Sequence, residues 1–180
     1  MPIQHLPNII SLIRLFLVIP FSYYFLNHNM HTAFIIFFIA SFSDGLDGWI
    51  ARVFHCQSRL GLMLDPLADK VLIITCFLLL GYQGFINLWL VLLVLFRDLS
   101  ILLGAFISIC ILKKPRPLYP TLVSKFNTLF QMLLIVLCLI DATFANIPKI
   151  AIQITSILVA STTSITYLQY LFLWRKEVRK

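Results

Sequence analysis

The 180-residue chain is 61% hydrophobic and only 12% charged, with a formal net charge of +7. That balance is too apolar for a soluble domain of this length and marks an integral membrane protein. It also excludes a nucleic-acid-binding module, because without a soluble basic segment the excess positive charge fits the anionic surface of a lipid bilayer.

The opening MPIQHLPNIISLIR reads as an interfacial lead-in that enters a first span near Ile9 to Asn27, with a kink expected at Pro20. It has neither a basic n-region nor a cleavage site and is not rich in arginine, so the span is expected to be retained, as in a bacterial-type inner membrane protein. Arg14 falls inside it, where it either snorkels to the interface or faces a polar site. The second span runs from about Thr32 through FIIFFIASFSDGLDGWIARVF and ends in the polar stretch His55 to Arg59. A third begins near Gly61 and ends around Tyr82, with Pro66 at an early helical position. The fourth, Ile86 to Leu112, is interrupted by Arg97 and Asp98 and stops at the basic, proline-rich KKPRPLYP. The fifth extends from about Thr121 to Asp141, and the sixth from about Ile150 to Trp174, ahead of the tail RKEVRK.

Six spans with both termini inside agree with the distribution of basic residues, since Lys and Arg mark the cytoplasmic side. Arg59, Lys113, Lys114, Arg116, Arg175, Lys176, Arg179 and Lys180 fall there, against Lys149 alone opposite. No linker, repeat or low-complexity stretch divides the chain, so residues 1–180 are expected to form a single domain. Cys56, Cys76, Cys110 and Cys138 show no metal-ligand spacing and read as inert core residues. His5, His28, His31 and His55 lie at span ends and read as interfacial.

Four of the seven acidic residues are gathered between positions 44 and 69. Asp44 and Asp47 are three apart, and Asp65 and Asp69 four apart, so on helices each pair occupies one face. Carboxylates brought together in an apolar setting repel one another and take up protons unless cations neutralise them. All-oxygen ligands suit Mg²⁺ or Mn²⁺, and two such ions sharing carboxylates serve displacements at phosphorus. Asp44, Asp47, Gly48, Ala51 and Arg52 form one continuous helical stripe. The aspartates can hold metal, Gly48 and Ala51 leave room for a base or sugar to approach the backbone or for helices to pack closely, and Arg52 can grip a phosphate oxygen. Gly61, Asp65 and Asp69 repeat at a spacing of four on the next helix.

The segment DGLDGWIARVFHCQSRLGLMLDPLADK resembles the signature of the CDP-alcohol phosphatidyltransferase family at all eight of its fixed positions, spread over 26 residues. The resemblance implies a six-helix membrane fold, two divalent cations, CDP-diacylglycerol as donor, release of CMP, and a homodimer. Carried over position by position, Asp44, Asp47, Asp65 and Asp69 would be metal ligands, with Asp69 also the base that accepts the acceptor hydroxyl's proton. Asp47, Gly48, Ala51, Arg52 and Gly61 would hold the CDP moiety.

Beyond the signature, LPNIISLIRLFLVIP resembles the first helix of the branch that uses glycerol-containing acceptors. FRDLSILLGAF and PTLVSKFNTLFQ are similar to members that make cardiolipin from phosphatidylglycerol. Members that use glycerol 3-phosphate more often show Arg-Glu in place of Arg97 and Asp98, and lysine in place of Asn127. Glycerol 3-phosphate is a dianion that calls for one more cation than phosphatidylglycerol does, and Asn127 supplies none. Arg14, Arg97 and Lys125 are the candidate acceptor-binding residues, although Arg97 with Asp98 could instead form a buried ion pair, and Lys125 and Gln131 could be helix-helix contacts. An intramembrane prenyltransferase would gather aspartates differently, and a divalent-cation transporter would leave Arg52 and the small-residue stripe without a use.

Overall fold

The structure is a computed structural model that describes residues 6–53, 61–110, 122–145 and 147–178, with side chains described for 11–43, 68, 70–101, 122–145 and 147–172. Among them the regular structure is entirely helical: α1 Leu6–Leu26, α2 Met30–Val53, α3 Gly61–Tyr82, α4 Leu88–Cys110, α5 Leu122–Phe144 and α6 Lys149–Val178. Each of the six expected spans has its helix. The helix of α1 is already formed at Leu6, so the expected lead-in is helical from there onward, and α6 continues past Trp174 into the basic tail. Among the described residues, Leu122–Phe144 and Lys149–Phe172 are long and apolar enough to cross a membrane on their own.

Within an apolar core the helices bury several polar and charged side chains, and they expose many large apolar ones, unlike a water-soluble bundle. Arg14, Arg97, Asp98, Asn127 and Gln131 are buried, whereas Phe16, Ile19, Leu92, Phe96, Leu129 and Phe172 are each more than half exposed. An apolar solvent explains this arrangement, because lipid tails accept Leu and Phe but provide no partner for an amide or a guanidinium. Serines and threonines on α6 satisfy themselves locally: the hydroxyls of Thr155, Ser156, Ser161 and Ser164 each donate to the carbonyl four residues back.

Two compact units can be described. One comprises residues 1–79 and 139–146. Within it α1 and α2 pack along their length, joined by the tight turn Asn27–His28–Asn29. His28 adopts a left-handed φ of 58°. Its N–H donates to Phe25 O and that of Asn29 to Tyr24 O, closing α1 with a Schellman motif. The side-chain oxygen of Asn29 then accepts from the N–H of Thr32 and caps α2. Along the seam, α1 buries Ser11, Arg14, Val18, Phe21 and Phe25, and α2 buries Ala33, Phe37 and Ala40. Both sets follow the alternating three- and four-residue spacing of antiparallel helices packed closely side by side. In α3 the buried residues Ala68, Leu72 and Cys76 keep a spacing of four.

The other unit comprises residues 80–138 and 147–180. There α4 packs on α6, with Phe96 and Tyr167 rings 5.6 Å apart. The end of α3 turns at Gly84, whose φ of 80° is left-handed and whose Schellman bonds run from Gly84 N to Gly81 O and from Phe85 N to Leu80 O. Gly81 is needed for a different reason: a Cβ placed there would stand 2.6 Å from Cγ2 of Val91. Val91 is buried and β-branched, so its χ1 has little freedom to withdraw. Gly81→Ala should therefore cost about 1–3 kcal/mol through overpacking, seen as a lower melting temperature of the purified chain in detergent; an unchanged melting temperature would show that the two segments can part without cost.

Candidate active site

The lower half of α2 and the first half of α3 carry the signature. Asp44, Asp47, Gly48, Ala51 and Arg52 occupy the last three turns of α2, Gly61 opens α3, and Asp65 and Asp69 fall in its first turns. Positions 44 and 47 are separated by about 4.5 Å along the helix axis, and 65 and 69 by about 6 Å. The side chains of these eight residues lie outside the described ones, as do His5, His55, Cys56 and the basic loop around Lys113 and Arg116.

Helical register nevertheless gives the signature positions a face. The α2 seam of Ala33, Phe37 and Ala40, continued at its own period, reaches positions 44, 47 and 51. In α3 the buried Ile73 and Phe77, continued backward in steps of four, reach positions 69, 65 and 61. Both aspartate pairs therefore sit on the register that each helix buries. Two like charges one turn apart repel by roughly 3 kcal/mol at an effective dielectric of about 20. The donor set is all oxygen and free of thiolate or imidazole, which fits hard divalent cations such as Mg²⁺ or Mn²⁺.

The three candidate acceptor residues fall in different settings. Arg14 is fully buried in α1, one turn from buried Ser11. Arg97 is buried in α4, where Nη1 pairs with Oδ1 of Asp98 at 2.5 Å. Its Nη2 donates to Ser124 Oγ at 2.7 Å, and its guanidinium lies 6.0 Å from the centre of the Tyr170 ring. Lys125 is exposed on α5 beside Leu122, Phe126 and Leu129, the apolar face of that helix. Two residues on from Lys125, the buried face of α5 holds Asn127, whose Oδ1 accepts from the hydroxyls of Thr162 and Thr163, each at 2.8 Å. Gln131 follows one turn later and is fully buried, and neither Oε1 nor Nε2 has a hydrogen-bond partner.

Sequence reasoning did not single out Ser124, Thr162, Thr163 or Tyr170. Thr162 and Thr163 were signalled only by the run STTSIT in an otherwise apolar helix, and Ser124 and Tyr170 by nothing. Cys76 and Cys138 are buried, as core residues should be, and His28 and His31 stand at the α1–α2 turn.

A family model described as CDP-alcohol phosphatidyltransferase matches residues 4–174. The chain belongs to the CDP-alcohol phosphatidyltransferase family. It is similar to "Cardiolipin synthase (CMP-forming)" of Rattus norvegicus, 33% identical over 97% of this chain and 63% of that protein. The corresponding protein of Homo sapiens is 32% identical with the same coverage. It is equally similar to "CDP-diacylglycerol--glycerol-3-phosphate 3-phosphatidyltransferase" of Aquifex aeolicus, 32% identical over 91% of this chain and 94% of that protein. The chain thus spans about 63% of the length of the rat and human relatives. Membership in this family makes the chain an integral membrane protein, consistent with its apolar exterior.

A buried ion pair is costly to break from one side. Arg97→Leu should lower stability by about 3–5 kcal/mol because it removes the guanidinium paired with the buried Asp98 carboxylate, whereas Lys125→Ala on the exposed face should change it by less than about 0.5 kcal/mol. Thermal unfolding of the two variants in detergent checks the contrast, and equal melting temperatures would contradict it.

Proposed function

We propose that the chain is a phosphatidyltransferase of phospholipid biosynthesis that moves the phosphatidyl group of CDP-diacylglycerol onto a glycerol-type hydroxyl and releases CMP. The eight-position signature, carried on α2 and α3, is the observation that supports this reading. Asp44, Asp47, Asp65 and Asp69 would hold two divalent cations, Mg²⁺ or Mn²⁺, which supply positive charge for the diphosphate and the departing CMP. Gly48, Ala51 and Gly61 leave space at the backbone for the nucleotide, and Arg52 grips a phosphate oxygen. Asp69 takes the proton of the acceptor hydroxyl as that oxygen bonds to the phosphorus joined to diacylglycerol and the bridging P–O bond to CMP breaks. Family resemblance is what singles out Asp69 among the four.

Phosphatidylglycerol is the acceptor we favour, giving cardiolipin. The rat and human relatives bear the cardiolipin synthase name, and the Aquifex relative bears the glycerol-3-phosphate name at matching identity, so identity alone does not choose. The α5 side chains lean toward the singly charged acceptor. Asn127 spends its carbonyl on two threonines and brings no cation, and Lys125 is exposed beside apolar neighbours. Glycerol 3-phosphate is the alternative. The six helices fit six spans of one domain, with the termini and the aspartates toward the cytoplasm by the distribution of Lys and Arg, and a homodimer follows from the resemblance.

The test is CMP release by the purified full chain given CDP-diacylglycerol and Mg²⁺, with phosphatidylglycerol or glycerol 3-phosphate in parallel. We expect release with phosphatidylglycerol. Release with glycerol 3-phosphate alone would establish the alternative, and none with either would reject the reaction. In the same assay Asp69→Asn should still bind CDP-diacylglycerol but turn over at least about a hundredfold more slowly; wild-type turnover would remove Asp69 as the base.

A further inference from the structure

Arg14 is the largest of the fully buried side chains and the only buried cation described in its unit. The α1–α2 hairpin shows what it stands beside. The turn at residues 27–29 makes the two helices antiparallel, and a ring contact fixes their register: Phe21 and Phe37 have centroids 6.1 Å apart. Both helices rise equally per residue, so one step down α1 matches one step up α2. Phe25 is then level with Ala33, and Val18 with Ala40, each a larger side chain set against a small one and all four buried. Two further steps bring Arg14 level with position 44, and Ser11 level with position 47. Arg14 and Ser11 are both buried and both engaged in interactions.

We propose that Arg14 is the built-in counter-cation of the first aspartate pair: it neutralises and orients Asp44 and Asp47 while the metal site is empty, and it is not an acceptor ligand. The inference rests on Asp44 and Asp47 being cation-binding carboxylates, and does not depend on the acceptor or on turnover. A fixed guanidinium at that level has two effects of opposite sign. It holds the metal-free fold together, because an unpaired carboxylate in an apolar seam is costly. It also repels an incoming divalent ion, so it weakens metal binding. A residue with a purely packing role would do neither, and an acceptor ligand would leave metal affinity alone.

The experiment is a double-mutant cycle on the full chain in detergent with EDTA, followed by Mn²⁺ titration read by the electron paramagnetic resonance of free Mn²⁺. Arg14→Gln should lower the melting temperature, and adding Asp44→Asn should raise it again, so that R14Q/D44N melts above R14Q. If R14Q alone does not fold, folding of R14Q/D44N is the same result, and failure of both contradicts the pairing. R14Q should bind Mn²⁺ about tenfold more tightly than the parent chain, and Arg14→Lys should bind it nearly as the parent does. Melting losses that simply add, or Mn²⁺ affinity in R14Q equal to or weaker than that of the parent, would overturn the proposal. A parent chain that releases no CMP would sink the proposed reaction while leaving this cycle interpretable.

Discussion

Charge buried among apolar helices has to be answered by charge, and this requirement organises the chain. Lipid gives a carboxylate no hydration, so each acidic residue on a buried face needs a cation supplied by the protein or taken from solution. In the unit built from α4, α5 and α6 the protein supplies it: Arg97 pairs with Asp98 and is held by Ser124. The signature carries four aspartates on α2 and α3, and Arg14 is the one buried cation among the described residues of that unit. A single arginine cannot balance four acids. In the proposed function divalent cations from solution make up the difference, which gives the arrangement its use in phosphoryl-type chemistry.

Much of this was legible from residue order. Apolar runs of about 20 residues placed the helices to within a few residues, because a helix in lipid must be both long and apolar. The third helix was placed at Gly61 to Tyr82, where α3 runs. Helix ends were less legible. The turn at His28 closes through a left-handed φ on a non-glycine residue, and Ala145 does the same after α5, its N–H donating to Asp141 O in an αL cap. Neither carries the glycine that would have announced it.

The setting of the basic residues was the least readable. Arg14, Arg97 and Lys125 look alike in a sequence, as three cations in apolar runs. Only packing separates them: Arg14 is fully buried on α1, Arg97 is tied to its neighbour and to α5, and Lys125 lies on the exposed face of its helix. A shift of one or two residues around a helix decides the matter, since Lys125 and Asn127 are close in sequence yet one is exposed and the other buried. Periodicity could have shown this only if the seam of α5 were apolar throughout, and its upper half is polar. The half-satisfied amide of Asn127 and the unpartnered amide of Gln131 belong to that polar half and distinguish it from a simple lipid-packed seam.

The central claim is that the two aspartate pairs act as one two-cation site. Its most direct test is electron paramagnetic resonance of Mn²⁺ bound to the purified full chain. The account predicts about two ions per chain, magnetically coupled as in shared-carboxylate sites, with the coupling abolished by Asp65→Asn. A single uncoupled ion, or binding indifferent to Asp65→Asn, would contradict it.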